Sequence, residues 1–459
     1  MRILGASLCS CLASPPSVSP MNRQDFEACL ERLTPKQREI LWLFLDCPGD
    51  EAIAKRLVCT TANVRAHLAN ICKTFGYTNG EGESYSYRQD VVQDFIQHYP
   101  DRVSPQWHER LTFTQAQPES PDFPGRPLKV NSPFYLERPY AEDKALKVLN
   151  PGALVRIRGP RKTGKTSLLN RTLHSAKDQG CHTVAVKLYR AGDDILQDVE
   201  SFLRWFCLEI SDGVELPPNL DNYWNDQRGY ASSCSEYLQR HVLGQLTQPL
   251  VVGLDEADCL FEYPKTAKAF FKLVRGWSEE GKTSELWQNF RQVVVYATEV
   301  YIDFDIHASP FNVGTPIKLL PFKPAQIQTL AQRYGLGGFT QSESEALIAL
   351  VGGHPHLVQL ALYHLHQSPQ LSLKASIADA TSQTGLYGDH LRTLADTLSQ
   401  HPPLAEAFNT AIATSGQPVT LNPKVAKQLE GMGLVTRNDV AVQISCQLYQ
   451  RYFQTHPPI

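Results

Sequence analysis

Apolar residues change their spacing along the chain, and these changes predict how it is organised. Between residues 132 and 322, short continuous apolar runs alternate with stretches in which apolar residues recur every three or four positions. Such runs are typical of buried parallel strands, and such stretches are typical of the helices that cross between them. The predicted strands are residues 153–158, 184–186, 249–254, 292–297 and 317–320. The sequence therefore predicts an α/β domain with a parallel sheet.

The flanking segments follow other patterns. Residues 21–104 show helical periodicity, which predicts an all-α module with a helical extension. Residues 105–131 contain several prolines and few large apolar residues, so we expect an extended linker there. Residues 323–398 show helical spacing alone, and residues 399–459 combine it with a short strand pair around Gly433. This organisation agrees with the expectation of about three domains for a chain of this length.

One segment that follows the first predicted strand carries a specific chemical pattern. It matches G-x-x-x-x-G-K-[ST], in which backbone N–H groups and a helix N-terminus surround phosphates. The alternative, a glycine turn that only caps a helix, is disfavoured because a strand precedes the segment and a helix follows it. The pattern assigns Lys165 to the β- and γ-phosphates and the Thr166 hydroxyl to Mg²⁺. The predicted nucleotide-binding residues of this segment are Gly159, Pro160, Arg161, Lys162, Thr163, Gly164, Lys165, Thr166 and Ser167.

A second pattern lies at the end of the third predicted strand, where Asp255 and Glu256 follow an apolar run. Ligands gather at the carboxyl ends of parallel strands. We therefore expect Asp255 to bind the nucleotide's Mg²⁺ together with Thr166. Glu256 is the predicted general base that activates the attacking water. The cofactors that these two motifs imply are ATP or ADP and Mg²⁺.

The fourth predicted strand ends in Thr298 and Glu299. Two interpretations of Thr298 stay open. It is either a catalytic residue that senses the γ-phosphate or orients water, or a residue that caps the end of the strand. Glu299 is interpreted as a solvated neighbour. The side chains of Arg161 and Lys162 either pair with the γ-phosphate or are solvated, and we favour solvation.

Composition narrows the possible classes of protein. The net charge of −3 predicts no attraction of the whole chain to nucleic acid or to an anionic membrane. No apolar run approaches the ~20 residues of a membrane span, so a membrane is not expected as a partner. Eleven cysteines without a C-x-x-C pair indicate reduced thiols and a cytoplasmic location. The fourteen histidines form no ligand-spaced cluster, which disfavours a metal enzyme.

Residues 1–20 form a poor signal peptide, with one arginine and a short apolar stretch that serine interrupts. We expect this segment to be disordered or to precede the true start at Met21.

The N-terminal module has a recognisable pattern. Residues 33–41, 52–57, 61–71 and 73–76 together resemble the LuxR-type helix-turn-helix of bacterial regulators. The resemblance implies that Thr61 caps a recognition helix. It also implies that four residues are buried and three face a DNA groove or phosphates. The buried residues are Leu57, Val64, Leu68 and Ile71, and the outward-facing residues are Asn63, Arg65 and His67.

The charge of this module leaves its partner open. Residues 33–79 contain six Lys or Arg and four Asp or Glu, a net charge of only +2. Because neutralisation of the phosphate backbone normally dominates DNA affinity, this charge is small for a DNA-binding module. DNA binding through residues 33–79 and protein docking remain as alternatives.

Further segments support a second resemblance, to the AAA-like ATPase domain common in cyanobacterial proteins, a relative of the STAND signal-transduction ATPases. It spans roughly residues 132–455. The N-terminal module is similar to the helix-turn-helix that precedes this domain in bacterial signalling and conflict-system proteins. Besides the two nucleotide motifs, the matching segments are residues 134–139, 151–154, 309–314, 352–357, 431–435 and 448–453.

This second resemblance implies a three-layer α/β P-loop core at residues 132–322 and a helical lid at residues 323–398. A winged helix at residues 399–459 would fold back over the nucleotide. His354 and Pro355, at the start of a lid helix, are predicted to contact the nucleotide, although His354 also fits a structural role at the helix start.

Two further residue assignments follow from the resemblance. Residues 134–140 are expected to form the adenine wall. Arg275 is a candidate for completing a neighbouring molecule's site, and an exposed helix charge is its alternative interpretation.

The expected function is an ATP-dependent switch with slow ATPase activity. ADP would keep the lid and winged helix closed, and ATP would release them for self-association. A partner protein would supply the sensor or effector. Two alternatives are an ATP-gated transcription regulator and a DNA-loading or DNA-remodelling ATPase.

Overall fold

The computed structural model describes residues 23–46, 50–77, 88–105, 107, 121–225, 227–298, 312–368, 370–378, 380–382, 385–438 and 441–458. The predictions for residues 1–20 and for Glu299 lie outside these ranges. The chain forms two compact units, residues 1–119 and 120–459.

The first unit is helical throughout its described residues. Its buried centre contains Phe26, Phe75 and Phe95, with ring centroids 4.9 Å apart for Phe26 and Phe95. The helices are α1 (Arg23–Arg32), α2 (Pro35–Asp46), α3 (Asp50–Leu57), α4 (Thr61–Thr74) and α5 (Arg88–His98).

The start of α4 differs from the prediction by one residue. The side chain of Thr60, not Thr61, accepts a hydrogen bond from the Asn63 N–H. Thr60 has an extended backbone, as an N-cap requires, whereas Thr61 is already the first helical residue. Val64, Leu68 and Ile71 are buried as predicted, and Leu57 is half-buried.

The second unit contains a five-stranded parallel sheet in the order β2-β3-β4-β1-β5. Each strand lies where an apolar run predicted one, so the α/β core with a parallel sheet is confirmed. The strands are β1 (Leu154–Gly159), β2 (His182–Lys187), β3 (Leu250–Asp255), β4 (Phe290–Ala297) and β5 (Thr315–Lys318).

Helices cover both faces of this sheet. Because side chains alternate along a strand, Val251 faces a cluster with Leu168 and Leu169, while Val252 faces another with Phe206 and Phe270. The helices of this part are α6 (Pro139–Ala145), α7 (Lys165–Asp178), α8 (Asp193–Gln197), α9 (Val199–Gly213), α10 (Tyr230–Glu236), α11 (Pro264–Glu280) and α12 (Glu285–Gln288). A π-helical stretch at Tyr237–Leu243 continues α10.

After the sheet comes a region that is helical in its described residues, as its spacing predicted. We refer to it as the helical segment. It consists of α13 (Pro324–Arg333), α14 (Gln341–Val351), α15 (Pro355–Gln367), α16 (Leu373–Ala378) and α17 (Gly388–Ser399).

The last part of the chain, the C-terminal segment, combines helices with a three-stranded antiparallel sheet in the order β6-β8-β7. The strand pair predicted around Gly433 is present, and both of its strands follow this glycine. The third, β6, has two residues and is too short to give a sequence signal. The elements are α18 (Pro402–Ala413), β6 (Val419–Thr420), α19 (Pro423–Gly431), β7 (Val435–Asn438), β8 (Ala441–Ile444) and α20 (Gln447–Thr455).

The second half of the expected linker packs on the second unit. The Leu128 N–H donates to the Ser167 hydroxyl at 3.0 Å, and Arg171 donates to the Val130 carbonyl. Pro121 and Pro124 are buried, so residues 121–131 are part of this unit rather than an extended connection. Among the described helices, none is both long and apolar enough to pass through a lipid bilayer.

Candidate functional site

The predicted phosphate loop connects β1 to α7 at the carboxyl edge of the sheet. Gly164 and Lys162 have left-handed backbones, with φ of 93° and 59°. The Thr163 hydroxyl donates to the Pro160 carbonyl at 2.8 Å. The Lys165 ammonium donates to the Pro160 and Gly159 carbonyls at 2.8 and 3.0 Å. The loop therefore curls around its own lysine, and the helix N-terminus follows directly.

The two predicted Mg²⁺ ligands lie side by side. The Thr166 hydroxyl donates to Asp255 Oδ1 at 3.2 Å, and the Glu256 N–H donates to the same oxygen at 3.1 Å. Asp255 is buried, and this burial raises the pKa of its carboxyl. A hydroxyl and a carboxylate are oxygen ligands of the kind that Mg²⁺ prefers, so these residues fit that ion.

Glu256 stands at the end of β3 in a left-handed conformation, with φ of 54°. The residue is exposed, but partial burial of its carboxyl raises the pKa of that group. The nearby charges of Asp255 and Asp258 raise this pKa further, whereas Arg161 and Lys165 oppose the shift. A raised pKa suits a carboxylate that accepts a proton.

Thr298 lies beside the phosphate loop because Ala297 pairs with Gly159 across β4 and β1. Its N–H donates to the Gly159 carbonyl at 3.3 Å. Its hydroxyl donates to the Gly431 carbonyl at 2.6 Å, a contact with the C-terminal segment that neither sequence interpretation included.

His354 brings the helical segment to the same loop. Its Nε2 lies 3.2 Å from the Arg161 carbonyl, which accepts, so Nε2 carries the proton. Burial, together with the charges of Lys165 and Lys162, lowers the pKa of His354 to about 4. Pro355 is the first residue of α15, as predicted.

Two other histidines adjoin His354. The rings of His354 and His390 are 5.6 Å apart, and His390 Nε2 lies 2.8 Å from the Tyr449 hydroxyl. Burial lowers the pKa of His390 to about 2 and that of His356 to about 3. The histidines beside the loop are therefore neutral near pH 7.

Sequence reasoning missed two residues of this site. Arg138 donates from Nη1 to the Thr163 carbonyl at 3.1 Å, and its Nη2 lies 3.0 Å from the position of a Cβ on Gly164. Asp258 accepts a 2.7 Å hydrogen bond from the Ala297 N–H. Arg138 lies within the segment assigned to the adenine wall, but no sequence pattern indicates the direction of its guanidinium.

Phe134 and Arg275, which were also predicted to serve the nucleotide site, contact residues outside the phosphate loop. Phe134, at the start of the expected adenine wall, packs on Tyr334 of the helical segment with ring centroids 4.5 Å apart. Arg275 donates to Glu279 on its own helix at 2.8 Å. Among the described residues, no group of three or more His, Cys, Asp or Glu side chains is placed to bind a metal ion.

Comparisons with known proteins identify a matching family and solved structures with some similarity in fold. The AAA-like domain family matches residues 123–455. The Walker-type ATPase paby2304 of Pyrococcus abyssi superposes with a TM-score of 0.50 and 15% identity, over 72% of this chain and 99% of that one. The ORC2 protein of Aeropyrum pernix, in ADPNP–ADP complexes, gives a TM-score of 0.41 and 13% identity, over 69% of this chain and 92% of that one. No curated protein matches the sequence.

Proposed function

The chain belongs to the AAA-like domain family, and on this premise we propose that it is an ATP-binding molecular switch of the STAND type. The helical segment is its lid, the C-terminal segment its winged helix, and α2–α4 a helix-turn-helix. ATP or ADP binds at residues 159–167, and bound ATP is hydrolysed slowly to ADP.

The main support for a switch is that separate parts of the second unit meet at the phosphate loop. The helical segment contacts it through His354, at the Arg161 carbonyl. The C-terminal segment approaches it through Gly433, where a Cβ would lie 3.2 Å from Pro160 Cγ. Phosphates bound in this loop would lie close to both of these contacts, because Pro160 and Arg161 are part of the loop. A change from ADP to ATP therefore alters contacts that keep the segments packed, and their release permits self-association.

The residues at the strand ends supply the chemistry of hydrolysis. Water attacks the γ-phosphorus and gives its proton to the Glu256 carboxylate. The bond from that phosphorus to the β–γ bridging oxygen breaks, leaving ADP and inorganic phosphate. Thr166 and Asp255 would hold Mg²⁺, which when bound neutralises charge on the phosphates.

Slow turnover is expected for the isolated chain. Arginines supplied by a partner accelerate related phosphoryl transfers by ~10³- to 10⁵-fold. Arg275, the candidate for this role, is held by Glu279 on its own helix. We therefore expect an activating partner or self-association to be needed for fast hydrolysis.

Nucleotide content tests the proposal most directly. The purified full chain is denatured, the released ligand is separated, and Lys165→Ala serves as the control. Near-stoichiometric ADP in the wild type and none in Lys165→Ala support a closed switch. An empty site with fast ATP turnover in dilute protein contradicts the switch and favours a motor or loader. In that case DNA should stimulate the ATP turnover.

For the N-terminal unit we propose protein docking rather than DNA binding. Arg65, the basic residue expected to face DNA, donates to Asp50 at 3.0 Å, and Asp50 also pairs with Arg88 at 2.8 Å. Its exposed neighbours Ala62 and Asn63 carry no charge. This face is therefore poorly suited to a phosphate backbone.

Fluorescence anisotropy with the full chain and random or genomic duplexes distinguishes the two roles. The docking proposal predicts no binding at low salt. Salt-sensitive, sequence-selective binding would instead favour the ATP-gated transcription regulator.

A further inference from the structure

A tight turn of the C-terminal segment, Gly431–Gly433, lies directly on the nucleotide site. A Cβ on Gly431 would be 2.3 Å from the Thr298 carbonyl oxygen, closer than any real contact. Gly433 has φ of 76°, and a Cβ on it would lie 3.2 Å from Pro160 Cγ. The absence of side chains at these positions lets the turn touch both the end of β4 and the phosphate loop.

Further bonds hold the turn in this position. The Ser445 hydroxyl donates to the Gly433 carbonyl at 2.7 Å, which fixes the turn on its own segment. Lys318, at the end of β5, pairs with Glu430 at 2.9 Å, just before the turn. The turn is therefore anchored to the sheet as well as to the C-terminal segment.

Thr298 contacts both the turn and the phosphate loop, because its N–H donates to the Gly159 carbonyl and its hydroxyl faces the turn. The hydroxyl donates to the Gly431 carbonyl at 2.6 Å. A threonine hydroxyl has a single proton, so it donates one hydrogen bond at a time. While Gly431 accepts this bond, the hydroxyl cannot donate to a phosphate oxygen or to an attacking water.

We propose that docking of the Gly431–Gly433 turn and use of Thr298 in hydrolysis exclude each other. When the turn is docked, its Gly431 carbonyl accepts the hydrogen bond of the Thr298 hydroxyl, and turnover is suppressed. Undocked, Thr298 is a positioning residue that donates to the γ-phosphate or water. The inference rests on the proposed function, and it adds the contact through which the C-terminal segment controls the site.

Two substitutions separate the docking from the hydroxyl. Gly431→Ala places a methyl group against the Thr298 backbone and keeps the hydroxyl, so it undocks the turn. Thr298→Val removes the hydroxyl at nearly constant volume. Loss of one hydrogen bond shifts the opening equilibrium by about fivefold. We expect faster hydrogen exchange in residues 402–458 of both variants of the full chain, and a turnover increase of about fivefold or more only in Gly431→Ala.

A matched control comes from α11. Gly276 is also a helical glycine, but a Cβ there meets nothing within 4 Å. Gly276→Ala should match the wild type in exchange and turnover. Thr298→Ser, which keeps a hydroxyl, should rescue the turnover that Thr298→Val lacks when each is combined with Gly431→Ala.

Two results would overturn the inference. One is equal exchange and turnover in Gly431→Ala and Gly276→Ala. The other is a rise in turnover in Thr298→Val as large as that in Gly431→Ala. Failure of the proposed function is distinct, because it appears as no nucleotide bound to any variant, whereas exchange reports docking without nucleotide.

Discussion

The hydroxyl of Thr166 and the carboxylate of Asp255 are joined by a 3.2 Å hydrogen bond, although 89 residues separate them in the chain. This bond connects the first turn of α7 to the end of β3. Burial raises the pKa of Asp255, so its charge is poorly solvated where it stands. A nearby cation would lower this cost, which links the pair to Mg²⁺.

Asp255→Asn should remove the dependence of nucleotide affinity on Mg²⁺. The amide keeps an oxygen for Thr166 but loses the charge that binds the cation. We expect the apparent Mg²⁺ affinity to fall by at least about tenfold. Titration calorimetry with ADP, with and without Mg²⁺, measures the effect. Asp258→Asn is the control because it removes a neighbouring charge and keeps the acceptor for Ala297. An equal loss in both variants would contradict the role of Asp255.

Two substitutions of Glu256 separate its role in hydrolysis from the strain of its left-handed backbone. Glu256→Gln and Glu256→Asn both remove the carboxylate and should lower turnover by about 100-fold or more while ATP binding is retained. Asn tolerates the left-handed backbone better than Gln. Glu256→Asn should therefore be more stable than Glu256→Gln by about 0.5–1 kcal/mol. Single-turnover assays measure the loss of hydrolysis, and calorimetry measures the stability of each variant. Equal stabilities of the two variants would mean that the left-handed backbone of Glu256 stores no strain.

The nucleotide motifs could be located from the sequence because each is continuous in the chain and lies between recognisable elements. The contacts that hold the site together could not. Arg138 meets Thr163 across 25 residues, and Thr298 meets Gly431 across 133. Such contacts depend on how segments pack, which periodicity does not specify.

Smaller differences between the sequence prediction and the structure have local causes. Two adjacent threonines stand at the start of α4, and the sequence alone does not decide which one has the extended backbone of a cap. The sequence predicted a short strand pair around Gly433, and the structure has both strands just after it. The contact of Gly433 with Pro160, and that of Gly431 with Thr298, appear only when the C-terminal segment is placed on the core.

Gly152 should be intolerant of substitution. It has φ of 62°, and a Cβ there would lie 2.8 Å from the Cα of Gly281, just after α11. Because backbone atoms cannot yield as a side chain can, Gly152→Ala should destabilise the second unit by about 2 kcal/mol or more. Gly338→Ala, where a Cβ meets nothing within 4 Å, should change stability by less than about 0.5 kcal/mol. Differential scanning calorimetry compares them, and similar midpoints would contradict the close approach.

Three histidines near the phosphate loop, His354, His356 and His390, make the second unit sensitive to acid. Burial lowers the pKa of His354 to about 4, of His356 to about 3 and of His390 to about 2. In the unfolded chain each has its ordinary pKa near 6.5. Below that pH the unfolded state binds more protons than the folded one. The contribution of these histidines to the free energy of unfolding is therefore fully present above pH 6.5. It declines toward pH 4 by up to about 1.4 kcal/mol per pH unit for each imidazole.

His390→Gln tests this linkage and keeps a hydrogen-bonding group for the Tyr449 hydroxyl. It should remove about one third of the histidine contribution to the slope of unfolding free energy between pH 6 and 4.5. Asp255 and Glu256, whose pKa values are raised, act in the opposite direction because the folded state binds their protons more readily. The wild type and His390→Gln share these carboxyls. The difference between their slopes of unfolding free energy against pH therefore reports His390 alone. Identical slopes in calorimetry across this range would mean that His390 is not kept neutral by the fold.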